Sequence, residues 1–500
     1  MNPDANFCLR KYRPMNLNQR CCVYAIPALA LVAVLLCCAA PRPLLRNPSA
    51  SQPPGPAATK AGGLSAESAR PAPVRPMPIR PQPPQWLAAP PQAGRQGFAR
   101  AVALSGDTAV ITAPGATLPG RASVGAAYVY RNTGSSFELQ QVLVAPTDRA
   151  GESFGQAVAL SGSQLAIGAF YSDIRITDID ASMWSQGEVY IFEQNANEWR
   201  YKEQLASRLP PQPSGVATAR SASPFGSKLA MNQNRLVISG RNDEEMPMIF
   251  SHSPTGWQYQ HTLTFVDRKM RILPGGPSII TKGEFIFVGN LEHILSFGSD
   301  YHRLERFEQD SVCEFAVTGS EWKMSGCLNE DHDVDAPHAG VGESVALSKD
   351  LLAVGIPRLR TNGKLEPGLV RILAREETHW AWQVDLQAPA PHGHSGDEFG
   401  RTVALAGDRL IVGNRDSDPV SSQAFVFLRR AGKWELEGTY SLDLPTGAGS
   451  AERDKGPAPR YLDTTLSTDG TTLILGAAQV TPAIAAAQER ALIVRFPVAP

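Results

Sequence analysis

The chain lacks an excess of charge of either sign. Its 47 basic and 48 acidic residues leave a formal net charge of -1, which excludes a protein held on nucleic acid by a basic face. It also lacks long helical patterning: after residue 100 no extended segment repeats apolar residues at a 3.6-residue period. Cysteine is scarce where folding is expected. Of seven cysteines, Cys8, Cys21, Cys22, Cys37 and Cys38 lie in the first forty residues, leaving Cys313 and Cys327 for the rest. Motifs of hydrolytic and phosphate chemistry are missing as well: no G-x-S-x-G, no H-E-x-x-H, no glycine loop ending in lysine. The paired acids Glu244 and Glu245 sit in a polar turn and need no acid-base explanation. No catalytic residue is assigned. What the chain does have is 43% hydrophobic residues, enough for a large core and too many for wholesale disorder.

The first hundred residues read as address and tether. Residues 1–20 carry Arg10, Lys11, Arg13 and Arg20 against Asp4 and form a basic n-region expected on the cytoplasmic side. Residues 21–40 run without charge and, as a helix, just span a bilayer core of about 30 Å. They are a transmembrane anchor or a signal peptide cut near Ala39, and the sequence leaves both open. Either way the chain is expected to be exported to the periplasm or outside the cell. Residues 41–80, rich in Pro, Ala and Arg, cannot bury enough apolar surface to offset their ordering entropy and are expected to be a disordered stalk.

From residue 81 to 497 one unit recurs. A small-apolar strand, a tight polar turn and a second strand ending in a small residue appear in FARAVALSGDTAVITAP from Phe98 and FGQAVALSGSQLAIGAF from Phe154. They recur from Phe225, Pro274, Val341, Phe399 and Tyr461, making seven copies. A third strand of alternating apolar residues follows, as in Ala126–Arg131 and Ala424–Arg430. A fourth opens near an aromatic: Phe137, Trp199, Trp257, Trp322, Trp380 or Trp434. Four short antiparallel strands repeated seven times give an all-β, seven-bladed propeller. The last unit stops after its third strand. Trp86-Leu87-Ala88-Ala89-Pro90 is like Leu143-Val144-Ala145-Pro146, so residues 81–90 are expected to close the last blade, with Trp86 in the site of the other tryptophans. Residues 290–311 read as an insertion before the third strand of blade 4.

These repeats resemble the FG-GAP family, the propeller of integrin α-subunits, and are nearest its bacterial-type members. Phe154-Gly155, Phe225-Gly226 and Phe399-Gly400 carry the resemblance, with Ala113-Pro114, Gly168-Ala169 and Gly476-Ala477. The resemblance implies calcium in loops between the first two strands. Here those loops are hairpin turns such as Ser105-Gly106-Asp107, too short for an oxygen cage. The fold is carried over and the metal is not, and no cofactor is required.

Cys313 and Cys327 are equidistant from Ser320 and face each other in a hairpin turning there, so an oxidising compartment should join them. Longer loops join strands two and three, and each blade to the next, and both kinds emerge on one face. There the candidates are Asp173, Asp178, Asp180 and Trp184 in blade 2 and Asp416 and Asp418 in blade 6: acids able to hold calcium weakly, and an aromatic suited to a partner. His332, His338, His392 and His394 flank blades 5 and 6 and form a candidate metal set. The reading is a non-catalytic binding module for a protein or carbohydrate ligand at the cell envelope, with a membrane contact through residues 21–40 if these are retained. A metal-dependent propeller hydrolase or lyase, and a structural part of an envelope complex, are the alternatives.

Overall fold

The structure is a computed structural model. It describes residues 83–90, 97–121, 124–147, 153–169, 187–206, 225–239, 247–264, 270–272, 277–297, 305–319, 321–329, 339–361, 364–377, 379–390, 393–415, 423–441, 462–479 and 490–496. The basic n-region, the apolar segment and the stalk lie outside these residues.

Alternating apolar residues and Gly-centred turns give antiparallel four-stranded sheets, and no helix occurs among the described residues. Blade 1 comprises Val102–Ser105, Thr108–Ala113, Ala126–Asn132 and Phe137–Leu143, in chain order across the sheet. Six further sheets repeat the order, with innermost strands Ala157–Ser161, Lys228–Asn232, Ser278–Lys282, Val345–Ser348, Thr402–Ala406 and Leu462–Thr468. The molecule is an all-β propeller of seven blades. In blade 7 the outer strand is Gln85–Ala88, antiparallel to Arg490–Arg495.

The core is not one mass but seven layers between blades, one apolar cluster at each junction. The Phe of each FG pair enters the layer behind it. Phe154 is fully buried with Val129 and Leu143 of blade 1 and with Tyr190 and Trp199 of its own blade. Its Gly partner is required by contact. A Cβ on Gly168 would lie 2.0 Å from the carbonyl oxygen of Gly226 in the next blade, and one on Gly226 would lie 2.9 Å from Glu188 O at a φ of +88°. The Gly that ends one blade's second strand therefore touches the FG Gly of its neighbour, and Gly355 meets Gly400 in the same way.

Two sequence expectations need correction. Trp86 does not share the site of Trp199. It pairs with Leu492 as Gln204 pairs with Tyr190, stands 42% exposed, and stacks under Arg490 at 3.8 Å. Leu87, 7% exposed, is the inward residue, at the place of Leu205. Phe496, buried just past the third strand, supplies the aromatic for the junction between blades 6 and 7, with Arg409 of blade 6 4.2 Å from its ring centre. Second, 290–311 does not all precede the third strand of blade 4, which already begins at Glu305. The second and third strands of blade 4, Phe285–Phe297 and Glu305–Thr318, run on past a bulge and stay paired from Leu291↔Ser311 to Phe297↔Glu305. Met270–Ile272 adds along the free edge of this ribbon.

Cys313 faces Cys327 in the outer hairpin of blade 4 and is bonded to it. The turn alone would pair Cys313 with Gly326. A register shift between Glu314 and Phe315 admits Ser325 as an extra residue and moves the pairing on by one. Every outer hairpin of blades 1 to 6 has the same shift, as at Val129/Tyr130 and Val426/Phe427.

Candidate functional site

The seven innermost strands surround an axial cavity of about 460 Å³ at the end where each strand begins. Three successive positions of the repeat build it as a cup. Lowest is an aliphatic floor, one residue per blade: Val102, Val158, Leu229, Ile279, Val345, Val403 and Leu466. One position earlier come Ala101, Ala157, Lys228, Ser278, Ser344, Thr402 and Thr465, a wall that is mostly small and hydroxylic. One earlier still, directly after the FG pair, is the rim: Arg100, Gln156, Ser227, Glu343 and Arg401.

The wall hydroxyls join the blades while facing the cup. Ser278 Oγ donates to Gly342 O at 2.5 Å, and Thr465 Oγ1 donates to Ala99 O at 2.9 Å. Ser344 Oγ accepts from the Val403 N–H at 2.8 Å. On the rim, Ser227 Oγ donates to Ser239 O at 3.1 Å within its own blade.

The rim is electrostatically asymmetric. Glu343 is held by two guanidiniums, Arg358 at 2.5 Å and Arg401 of the next blade. Arg401 also reaches Glu398 at 3.4 Å, and Glu398 lies 3.7 Å from Arg415. Three arginines and two glutamates thus bridge blades 5 and 6. Around the cup itself, Arg100, Lys228 and Arg401 face the single acid Glu343.

Ordered loops flank the opening. In blade 5 the loop from strand two to three folds into a small hairpin, Arg360–Thr361 with Lys364–Leu365. The segment entering blade 6 docks on it: Ser395 Oγ donates to Leu365 O at 2.5 Å and Phe399 N–H to Pro367 O at 2.7 Å. In blade 1, Leu118 and Arg121 pair across their loop, and the Arg121 guanidinium caps the carbonyl of Thr147.

Of the residues singled out in the sequence, Asp173, Asp178, Asp180, Trp184, Asp416, Asp418, His332, His338 and His392 lie outside the described residues. His394 is described. Its side chain is largely exposed and its Nδ1 lies 3.4 Å from the buried carboxylate of Asp397, which also accepts the His394 backbone N–H at 2.6 Å. Among the described residues no group of three or more His, Cys, Asp or Glu is placed to hold a metal ion. The rim residues were missed in the sequence. Their signal was a position that varies at a fixed phase, Arg100, Gln156, Ser227, Glu343 and Arg401, between a recurring FG-like pair and a recurring small-apolar strand.

The fold and its repeats now meet an independent comparison. A family model described as the FG-GAP repeat matches residues 85–130, 137–192 and 382–427. The chain is a seven-bladed β-propeller that carries FG-GAP repeats. No curated protein matches it in sequence. Among solved structures, it is similar to one from a study of two prolyl endopeptidases, with 12% identity and a TM-score of 0.39 over 75% of this chain and 46% of that one. It is similar to a protein from Lactobacillus plantarum, with 11% identity and a TM-score of 0.35 over 73% and 91%. A post-proline cleaving enzyme from Rickettsia typhi gives 10% identity and a TM-score of 0.36 over 75% and 48%. The FG-GAP chain spans about half the length of the two proline-specific enzymes it matches.

Proposed function

We propose that this FG-GAP propeller is an exported, non-catalytic binding module that takes a protein or glycan ligand at the cell envelope. The observation that carries the reading is the cup: a polar, charged cavity on the axis, flanked at blades 5 and 6 by a docked loop pair at the end where the connecting segments emerge. Concave sites of a few hundred Å³ with a few convergent polar groups are the usual form of a ligand site. The Cys313–Cys327 bond supports export, because such bonds persist in oxidising compartments and are rare in the cytosol.

Two measurements test the two halves of this reading. Fractionated cells should yield the full chain in the envelope or medium, with both cysteines closed to thiol label. Recovery from the cytosol with reactive thiols would remove the export half. For the binding half, the full chain should retain an envelope protein or glycan, and Arg401→Glu at the rim should abolish retention. Glu435→Lys, on an exposed outer strand of blade 6, should leave it intact. Equal retention by both variants would place the binding surface elsewhere.

A further inference from the structure

The outermost strand of blade 5, His379–Leu386, carries an arrangement that its counterparts lack. Trp382 stands 60% exposed there, more than any other large apolar side chain among the described residues. The same register position holds Leu139, Tyr201, Tyr259, Met324 and Leu436 in blades 1, 2, 3, 4 and 6. The two tyrosines are there for packing: Tyr201 lies 6.0 Å from Phe192 and 6.3 Å from Tyr190, and Tyr259 lies 5.9 Å from Phe250. Trp382 is paired across the strands with Leu373 and meets no aromatic ring among the described residues.

Hydrogen bonds hold the indole instead. Its Nε1–H donates to Asp385 Oδ1 at 3.0 Å, and Asp385 receives a two-pronged ion pair from Arg371, Nε to Oδ1 and Nη2 to Oδ2, both at 2.9 Å. Arg371 occupies the place where other blades set Tyr128, Tyr190 and Phe425 against Phe98, Phe154 and Phe399. Blade 5 opens with Val341-Gly342 and has no such phenylalanine. An aromatic layer is thus exchanged for a charged fork that fixes a projecting ring. The bank opposite is open. At the position from which Gln141 reaches Trp199 of the next blade, blade 4 has Gly326, where an added Cβ would meet nothing within 4 Å.

These features select a ligand. With its N–H engaged, the indole offers its electron-rich faces, which attract C–H hydrogens or a cation. Arg371 opposes a cation, and Asp385 opposes an anion. The two charges balance, so a neutral ligand fits. Asp385 Oδ2 accepts from Arg371 alone among the described residues and keeps a lone pair for a hydroxyl donor. A polypeptide strand finds no regular ladder here: Gln383 is an extra residue between the pairs Leu373↔Trp382 and Ile372↔Val384, and a bulged edge resists strand addition. We infer that the outer face of blade 5 is a subsite for a neutral pyranose whose C–H face stacks on Trp382 and whose hydroxyl donates to Asp385 Oδ2. A β-glucosyl ring, with its hydroxyls equatorial, presents unbroken C–H faces. This site lies on the outermost strand of its blade, apart from the cup on the innermost strands, and does not rest on the reading of that cavity.

The test is calorimetric titration of the full chain with cellotetraose, trigalacturonate and hexaproline. Cellotetraose should bind, and the charged sugar and the peptide should bind at least tenfold more weakly. Trp382→Ala should abolish cellotetraose binding. Trp382→Phe, which keeps a ring but loses the bond to Asp385, should weaken it severalfold. Leu436→Ala, at the same register position of blade 6 and 44% exposed, should leave it unchanged, as should Arg401→Glu at the cup. The three variants at Trp382 and Leu436 should keep the wild-type melting temperature within about 2 °C, which separates a lost ligand contact from a damaged blade. No binding of cellotetraose, equal binding by Trp382→Ala, or trigalacturonate bound as tightly would each overturn the assignment. Hexaproline bound as tightly would give the face to a polypeptide and overturn it too. Loss of cellotetraose with Arg401→Glu but not with Trp382→Ala would put the sugar in the cup, which removes this site and leaves the binding-module reading standing.

Discussion

The junctions on one side of the ring are tied differently from those on the other. Between blades 7 and 1, Gln85 clamps the backbone of Phe137, accepting its N–H at 2.8 Å and donating to its carbonyl at 2.9 Å. Gln141 does the same to Trp199 between blades 1 and 2. Glu203 accepts the Trp257 N–H between blades 2 and 3. All three occupy one register position of the outer strand, the partner of Ile493, Val129 or Ile191. In blades 3 to 6 that position holds His261, Gly326, Val384 and Gly438. There arginines tie the seam without a clamp, whereas between blades 7 and 1 Arg495 reaches Gly134 O at 3.0 Å in addition to the clamp. Arg235 reaches Gly283 O at 2.8 Å and stacks on Trp322, and Arg375 pairs with Glu314 at 3.0 Å. Arg401 joins Glu343, and Arg409 reaches the carbonyl of Gly470. A repeat fold fixes the spacing of its blades but not the chemistry of their seams, so one unit can drift from a hydrogen-bonded clamp to an ion pair while the ring stays whole.

The largest effect is expected at the closing strand, which carries the first clamp. Deleting residues 83–88 removes the Gln85 clamp, exposes the edge of Arg490–Arg495 and uncovers the Leu87 site. It should cost about 3–5 kcal/mol or more, read as the largest fall in melting temperature of any change considered. Next is blade 4, which has neither a clamp residue nor an FG pair but does have the disulfide. Replacing Cys313 and Cys327 with serine should cost about 2–4 kcal/mol. Reducing agent should lower the wild-type melting temperature and leave that double variant where it is.

The seams themselves come third. Gln141→Leu leaves the N–H of the buried Trp199 without its acceptor and should cost about 1–3 kcal/mol, with a denaturation midpoint displaced equally at low and high salt. Arg375→Leu should cost a similar amount by stranding the nearly buried Glu314, and adding Glu314→Leu should recover most of it. No second substitution of that kind rescues a lost clamp, because its partner is backbone. Equal rescue in both halves would dissolve the distinction.

The smallest effect concerns acid. Burial pushes the Asp385 carboxyl up, but hydrogen bonds from Arg371 and Trp382 and the Arg371 charge outweigh it and hold it below the ordinary carboxylate value. With a folded pKa below the unfolded one, its contribution is fully present above about pH 4 and fades as pH falls through the lowered value. Asp385→Asn should therefore lower stability above about pH 4, flatten the acid limb of the stability–pH curve and converge with the wild type at low pH.

Much of this architecture is legible in the residues. Phe154-Gly155, Phe225-Gly226 and Phe399-Gly400 mark their blades because a glycine there fits closely against the preceding blade, while Ala99 takes the same left-handed place after Phe98 in blade 1. The cysteine pair is legible from symmetry about the turn, although the match depends on Ser325, an extra residue that no simple hairpin supplies. Trp86 misled because alternation decides which face a strand residue takes, and one position separates it from the inward Leu87. The cup stayed hidden for a different reason. Its rim gathers one residue from each of several distant repeats, and nothing along the chain announces that Arg100, Glu343 and Arg401 line one cavity.

The partnership of Gln85–Ala88 with Arg490–Arg495 also sets a timetable for biosynthesis. The first strand to leave the ribosome must wait for almost the last one. At about 5–20 residues per second that delay is on the order of tens of seconds, during which six complete sheets can form beside an orphaned apolar segment. Until then Leu87 has no partner strand, so closure of the ring is the step that comes last.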